Sequence, residues 1–348
     1  MSLQDFGQEI PKVNLANFKK RYDSNQVRIE KRNHEISCKD QTHQLIQKIG
    51  GIDKVVNSGD QVLIKANASH SRPVPEGAVV DPQIIYAVIE ECFKADAQSV
   101  YIGDATGEDD GTKQVFEDLG YRPILKKTGA QLIDLNHPPY MRVEVPFDAG
   151  LAHKSYIFSE ELKKFDVLIS VAKLKTHSEA EITLGMKNLV GMPPVEPYIG
   201  ASRQLFHKEV DLNRAVSEMG EKEMFRDYLR NNVNIQGEKL PNERLCKVIV
   251  DLNIIFPISF TLIDGIIGME GQGPWKGNAV CSNVLLAGYN PLSTDTVGAM
   301  VMGFNPEDIR QLELAGKRNI GVNNPGEIKI GGDEIEGLTT NFTPASSS

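Results

Sequence analysis

Apolar residues along the chain alternate between helical stripes and short continuous runs. Leu45, Ile46, Ile49, Ile52, Val55 and Val56 recur at roughly helical spacing, and Gly50-Gly51 interrupts that stripe because glycine weakens a helix interior. Gln61-Val-Leu-Ile-Lys65, opened by the turn Ser58-Gly59-Asp60, predicts a buried strand. Asp81-Pro82 predicts a helix start, with Asp as N-cap and Pro in the first turn. Ile84, Ile85, Val88, Ile89 and Cys92 form that helix's apolar face. Ser99-Val-Tyr-Ile102 predicts the next strand, and Gly111 to Gly120 enclose a short helix with Val115, Phe116 and Leu119 inward. Asp166-Val-Leu-Ile-Ser-Val171 predicts a third strand, and the segment Ile182 to Leu189 looks helical. The C-terminal part resumes with Val248-Ile-Val250 and Phe260-Thr-Leu-Ile263, then a helix after Pro291 carrying Thr296, Val297, Met300 and Val301.

This alternation predicts an α/β layered fold with a mostly parallel sheet flanked by helices. Residues 1–26 are polar and read as an extension, and 339–348 as a disordered tail. Residues 27–338 form one domain, or two lobes at about 27–200 and 246–338 separated by a charged, helix-like insertion near 217–245.

Composition narrows the setting. With 47 acidic and 38 basic side chains the net charge is −9, which argues against non-specific nucleic-acid binding. Cys38, Cys92, Cys246 and Cys281 lie far apart, so neighbouring thiolates cannot supply a zinc or iron–sulfur site. They read as reduced thiols in a soluble cytoplasmic protein. No apolar run approaches a membrane-spanning length, so no membrane partner is expected.

In parallel sheets, ligands sit at the carboxyl ends of strands. The residues predicted there are polar: Lys65 and Asn67, Asp104 and Thr106, and Lys173-Leu-Lys175-Thr176-His177. Two ammonium groups, a hydroxyl and an imidazole suit a carboxylate or phosphate, and His177 has the chemistry of a general acid/base or metal ligand. The plain alternative is a surface loop with solvated lysines. A second candidate, Asp264 to Gly277, follows a strand and holds five glycines, Gly265, Gly271 and Gly273 among them. Glycine admits close backbone approach to a ligand. Asp264 and Glu270 offer a carboxylate pair or cation ligands, and Trp275 a ligand-facing or anchoring ring. The plain alternative is a glycine-rich turn. Thr106-x-Glu108-x-Asp110-Gly111 with Glu117 approximates a calcium-loop spacing but carries Thr at the first ligand position, and reads as a turn and helix cap. Asp295 reads as a helix-cap or dipole residue.

The ordered set Leu63-Ile-Lys65-x-Asn67, Asp81-Pro82, Gly103-Asp104, Lys173-Leu-Lys175-Thr176-His177, Lys187-Asn188-Leu189-x-Gly191, His207, Asp264-Gly265-Ile-x-Gly268-Met-Glu270-Gly271 and Gly273-Pro274 resembles the family called domain of unknown function 362. The resemblance spans roughly residues 50 to 320. Many members carry a ferredoxin-like iron–sulfur module; the clustered cysteines it needs are missing here, so such a cluster is not expected. The family usually has Lys-Pro-Asn where this chain has Lys65-Ala66-Asn67. The expectation is an enzyme acting on a small anionic ligand. Lys65, Asn67, Lys173, Lys175, Thr176, Lys187, Asn188, His207, Gly265, Gly271 and Gly273 would bind it, His177 and Asp264 would handle protons, and Asp104 with Glu270 would hold a divalent metal. The alternative is a non-catalytic binding or redox-accessory protein related to the iron–sulfur members.

Overall fold

The structure is a computed structural model that describes residues 12–13, 24–68, 70–71, 73–107, 111–146, 150–195, 243–274 and 276–345. His207, Trp275, Glu108, Asp110, most of the N-terminal extension and residues 217–242 of the expected insertion lie outside them.

The strands are β1 (Lys12–Val13), β2 (Gln26–Lys31), β3 (Gln61–Ala66), β4 (Ser99–Asp104), β5 (Gln131–Asp134), β6 (Tyr140–Glu144) and β7 (Ser155–Ser159). They continue with β8 (Val167–His177), β9 (Glu181–Thr183), β10 (Phe260–Gln272), β11 (Lys276–Val280), β12 (Val284–Gly288) and β13 (Lys329–Gly332). The α-helices are α1 (Cys38–Ile49), α2 (Pro82–Lys94), α3 (Gly111–Asp118), α4 (Tyr121–Thr128), α5 (Glu243–Ile255), α6 (Pro291–Val301) and α7 (Arg310–Lys317).

Ten strands form one sheet in the order β13-β2-β12-β10-β8-β3-β4-β5, with β9 added to β8 and β11 to β10. Its centre, β10-β8-β3-β4-β5, is parallel throughout, whereas β12 runs antiparallel to both β10 and β2. Strands from both ends of the chain thus interleave in a single sheet. β1, β6 and β7 make a separate three-stranded sheet.

Alternate residues of a strand point to opposite faces, and the core divides accordingly. Ile64, Ile169, Val171 and Leu262 pack with α1 to α4 on one face. Leu63, Leu168, Ala172, Leu174 and Ile263 pack with α5 to α7 and the small sheet on the other. This is the expected α/β layered fold. The local signals that placed the helices are also present. The Asp81 side chain accepts from Gln83 N at the start of α2, and Gly50, at φ 119°, closes α1 where the apolar stripe is interrupted.

Three sequence expectations change. Lys173 to His177 do not follow the strand but complete it, and every residue of β8 is buried. Ile182 to Leu189 is not a helix but β9 followed by a 3-10 turn, Lys187–Gly191. The stretch from Asp264 is not a loop: β10 runs to Gln272 and pairs with β11 as a hairpin. The last described residues are also packed. Thr340 N and Phe342 N bond to the carbonyls of Val301 and Met302, and the Phe342 ring is buried. The tail expectation fails there because an aromatic side chain finds an apolar site.

Candidate functional site

The long β8 carries charge into the layer between sheet and helices. Lys173 and Lys175 share parity with Val171 and so project towards the α1–α2 face. Asp264 projects to the same face, because β10 runs parallel to β8 with Asp264 opposite Lys173. Lys173 Nζ lies 2.7 Å from Asp264 Oδ2, and their side chains are 1% and 0% exposed. Backbone N–H groups of Asp81 and Ile266 donate to the same carboxylate at 3.0 and 3.1 Å. The N-cap of α2 is thereby tied to β10. Cys38, at the start of α1, feels this cluster. Burial first, then Asp81 and Asp264, push its thiol up to about 12.

Lys65, on β3, points to the opposite face and meets Asp104 at the end of β4, with Nζ to Oδ2 at 2.9 Å. Its ammonium also donates to Ala66 O and Asn188 Oδ1. Asn188 is a cross-brace. Its amide nitrogen donates to Lys65 O at 2.7 Å, to Ser170 Oγ at 3.1 Å and to Val171 O at 3.3 Å. Asp295 on α6 holds the turn leading to it, accepting from Gly185 N and Met186 N, each at 2.8 Å. The half-buried Lys187 is thereby placed beside the strand ends.

Lys175 differs from Lys65 and Lys173. It is 1% exposed, and its Nζ donates to Ala78 O at 2.8 Å. Among the described residues it has no carboxylate partner. Burial, then Lys187, Lys173 and Lys65, lower its pKa far below the ordinary lysine value; Asp104 opposes them weakly. Asn67 lies on the same loop: its carbonyl accepts from Val80 N, and its buried side-chain oxygen has no partner among the described residues.

Two buried groups therefore stand where β3 and β4 end: Lys65, Asp104 and Asn188 on one face and Lys173, Lys175 and Asp264 on the other, with Asn67 in the loop after β3. Lys187 stands beside them, whereas Thr176, Glu270, Gly265 and Gly273 serve other contacts. His177 follows Lys175 by two residues on the same face of β8, about 7 Å at a strand's rise, but its ring is engaged elsewhere. Its Nδ1 accepts from Glu179 N and Ala180 N, which leaves the ring hydrogen on Nε2 and ties the imidazole to its own turn. Thr176 turns to the other face and donates to Gly271 O at 2.8 Å. Glu270 accepts from Thr343 N, away from the Lys65–Asp104 pair. Among the described residues no group of three or more His, Cys, Asp or Glu could hold a metal ion. Gly265 in β10 and Gly273 just after it serve packing, while Gly271 has open space around its Cβ position and a φ of 73°. A Cβ at Gly273 would sit 2.1 Å from Thr176 O, and one at Gly265 2.7 Å from Val284 Cγ2.

Sequence reasoning missed the Ala78 carbonyl, Ser170 and the clamping role of Asp295. A carbonyl leaves no mark in a sequence, and Asp295 resembles any polar residue in a helix's first turn. Tyr121 was missed as well. Its buried hydroxyl has no partner among the described residues, and burial, then Asp81, Asp264 and Asp104, raise its pKa.

Fold and site define an α/β protein with paired lysines and aspartates buried at the ends of its parallel strands. The family model described as "Domain of unknown function (DUF362)" matches residues 62–300, well over half of the chain, and the chain belongs to that family. It is 25% identical over 280 residues to a thylakoid-associated protein of Synechocystis sp., a match covering 80% of this chain and 74% of that protein. No solved structure matches. Among the described residues no helix is long and apolar enough to cross a membrane.

Proposed function

We propose that the protein is an enzyme acting on a small anionic substrate, a carboxylate or a phosphate, at the ends of β3, β8 and β10. The observation that carries this reading is Lys175. Lys65 and Lys173 each have an aspartate within 2.9 Å, whereas Lys175 donates to a carbonyl and has no carboxylate among the described residues. A buried ammonium without a counter-charge is costly. An anion bound beside it would supply that charge, and Lys187 adds to the positive potential there. Asp264, bound by Lys173 and two backbone donors, holds the lysines in place in this reading. His177, tied to its own turn, is not needed by it.

Thermal denaturation at constant ionic strength, with phosphate, citrate or succinate replacing chloride, tests binding. Ligand at about a hundred times its dissociation constant adds about 2.7 kcal/mol of stability. That gain should vanish in Lys175→Met. Equal melting in chloride and in all three anions overturns the reading. Incubation with a metabolite extract, followed by mass spectrometry, tests turnover: an anionic compound consumed by the wild type and spared by Lys175→Met is the expected result. Anion binding with no compound consumed would instead favour a binding protein.

A further inference from the structure

The lysines at the strand ends fall into two chemical kinds. Lys65 and Lys173 are each held against an aspartate, at 2.9 and 2.7 Å, in buried ion pairs. Lys175 is as deeply buried as either, and among the described residues its Nζ donates one hydrogen bond, to Ala78 O. The cost of that uncompensated charge is relieved by an anion bound beside it or, where the anion sits on Lys187, by loss of a proton from Nζ. As an amine, Nζ keeps one N–H on Ala78 O and presents a lone pair, its second N–H having no partner among the described residues.

We infer that Lys175 is a carbonyl-reactive amine, condensing through Nζ with a small aldehyde or 2-oxo acid whose carboxylate or phosphate is held by Lys187. The inference rests on the anion reading above and names a substrate class for it. Two features support it besides the lack of a carboxylate beside Nζ among the described residues. The neighbours of Lys175 include three other lysines, the setting that keeps an amine unprotonated and nucleophilic. The Asn67 side-chain oxygen, on the loop that also supplies Ala78 O, is buried and unpartnered, an acceptor without its donor among the described residues. In the condensation the Nζ lone pair attacks the carbonyl carbon and a C–N bond forms. The carbonyl oxygen then leaves as water, carrying the two hydrogens of the amine, and an imine remains. No oxidant or reductant is consumed.

The test uses the full-length wild-type protein with glyoxylate or pyruvate and sodium cyanoborohydride, which reduces the imine to a stable secondary amine. Peptide mass mapping then locates the adduct. An exposed lysine of ordinary basicity is the free amine in only about one molecule in a thousand at neutral pH, so Lys175 should be labelled at least about tenfold faster than exposed lysines. Phosphate at constant ionic strength should slow that labelling. Lys175→Arg should lose the adduct while keeping stabilisation by anions. Label confined to exposed lysines, with anion stabilisation intact, overturns the imine chemistry and leaves the anion site standing. Loss of anion stabilisation in the wild type, with no label on Lys175, overturns both. The wild-type mapping decides the matter even if the arginine variant fails to fold.

Discussion

Replacing Lys173 by methionine removes one half of an ion pair whose members are 1% and 0% exposed and 2.7 Å apart. The volume is nearly kept, so the chief effect is to leave the Asp264 carboxylate buried without its counter-charge. Breaking such a pair costs about 3–5 kcal/mol. Asp264 retains two donors, Asp81 N and Ile266 N, and hydrogen bonds to a charged group are worth about 1.5–3 kcal/mol each. The cost should therefore fall at the low end, about 3 kcal/mol. Asp264→Asn strands the ammonium instead, beside Lys175, and should cost at least as much. The double variant removes both charges, and should be less damaging than the sum of the singles by about 1–3 kcal/mol. Equilibrium denaturation in guanidinium chloride, followed by far-UV circular dichroism, measures all three, with slopes compared to check that the unfolding reaction is the same. A Lys173→Met cost below about 1 kcal/mol, or strict additivity in the double variant, would refute the view that this pair is held buried between sheet and helices.

Three further expectations follow from other contacts. A Cβ at Gly191 would lie 2.5 Å from Asp104 Oδ1 and 3.0 Å from Lys65 Nζ, so Gly191→Ala should destabilise by about 1–3 kcal/mol and weaken anion-dependent stabilisation; unchanged melting would contradict it. Burial raises Asp295 from 3.8 to about 7, against the bonds from Met186 N and Gly185 N. The folded state therefore holds the extra proton between those values, and the associated stability, full below the lower one, is lost as pH rises through the upper. Asp295→Asn should flatten that part of the stability–pH curve, leaving the share due to Asp251, which burial raises to about 6; an unaltered slope from acid to neutral pH counts against it. Phe342→Ala should cost about 3–5 kcal/mol in denaturation measurements if the C-terminal segment is part of the core, and close to nothing if it is loose.

What could be read in advance depended on how local the cause was. The Asp81-Pro82 helix start, the closure of α1 at Gly50 and the strand at Gln61 depend on residues a few positions apart, and each appears where its signal stood. Gly265 and Gly273 misled because their role is non-local. Gly273 admits the carbonyl of Thr176, far away in the chain, and glycine spacing alone does not separate that need from room for a ligand. His177 and Glu270 misled similarly. Their side chains have the right chemistry, but His177 Nδ1 accepts from the backbone of Glu179 and Ala180, and Glu270 accepts from Thr343 N.

By itself the sequence determined the layered α/β class, since alternating stripes and runs can bury their apolar faces in few other ways. It also determined which polar residues stand near the strand ends, because the parallel arrangement puts those ends together. Tertiary structure alone decided how the charges pair. Lys65, Lys173 and Lys175 look alike in the sequence, and the first two differ from the third only because Asp104 and Asp264 come within 2.9 Å of them from other strands. That pairing is a matter of register and face between β3, β4, β8 and β10, set by packing across the whole sheet. It leaves Lys175 as the buried amine on which the functional proposal turns.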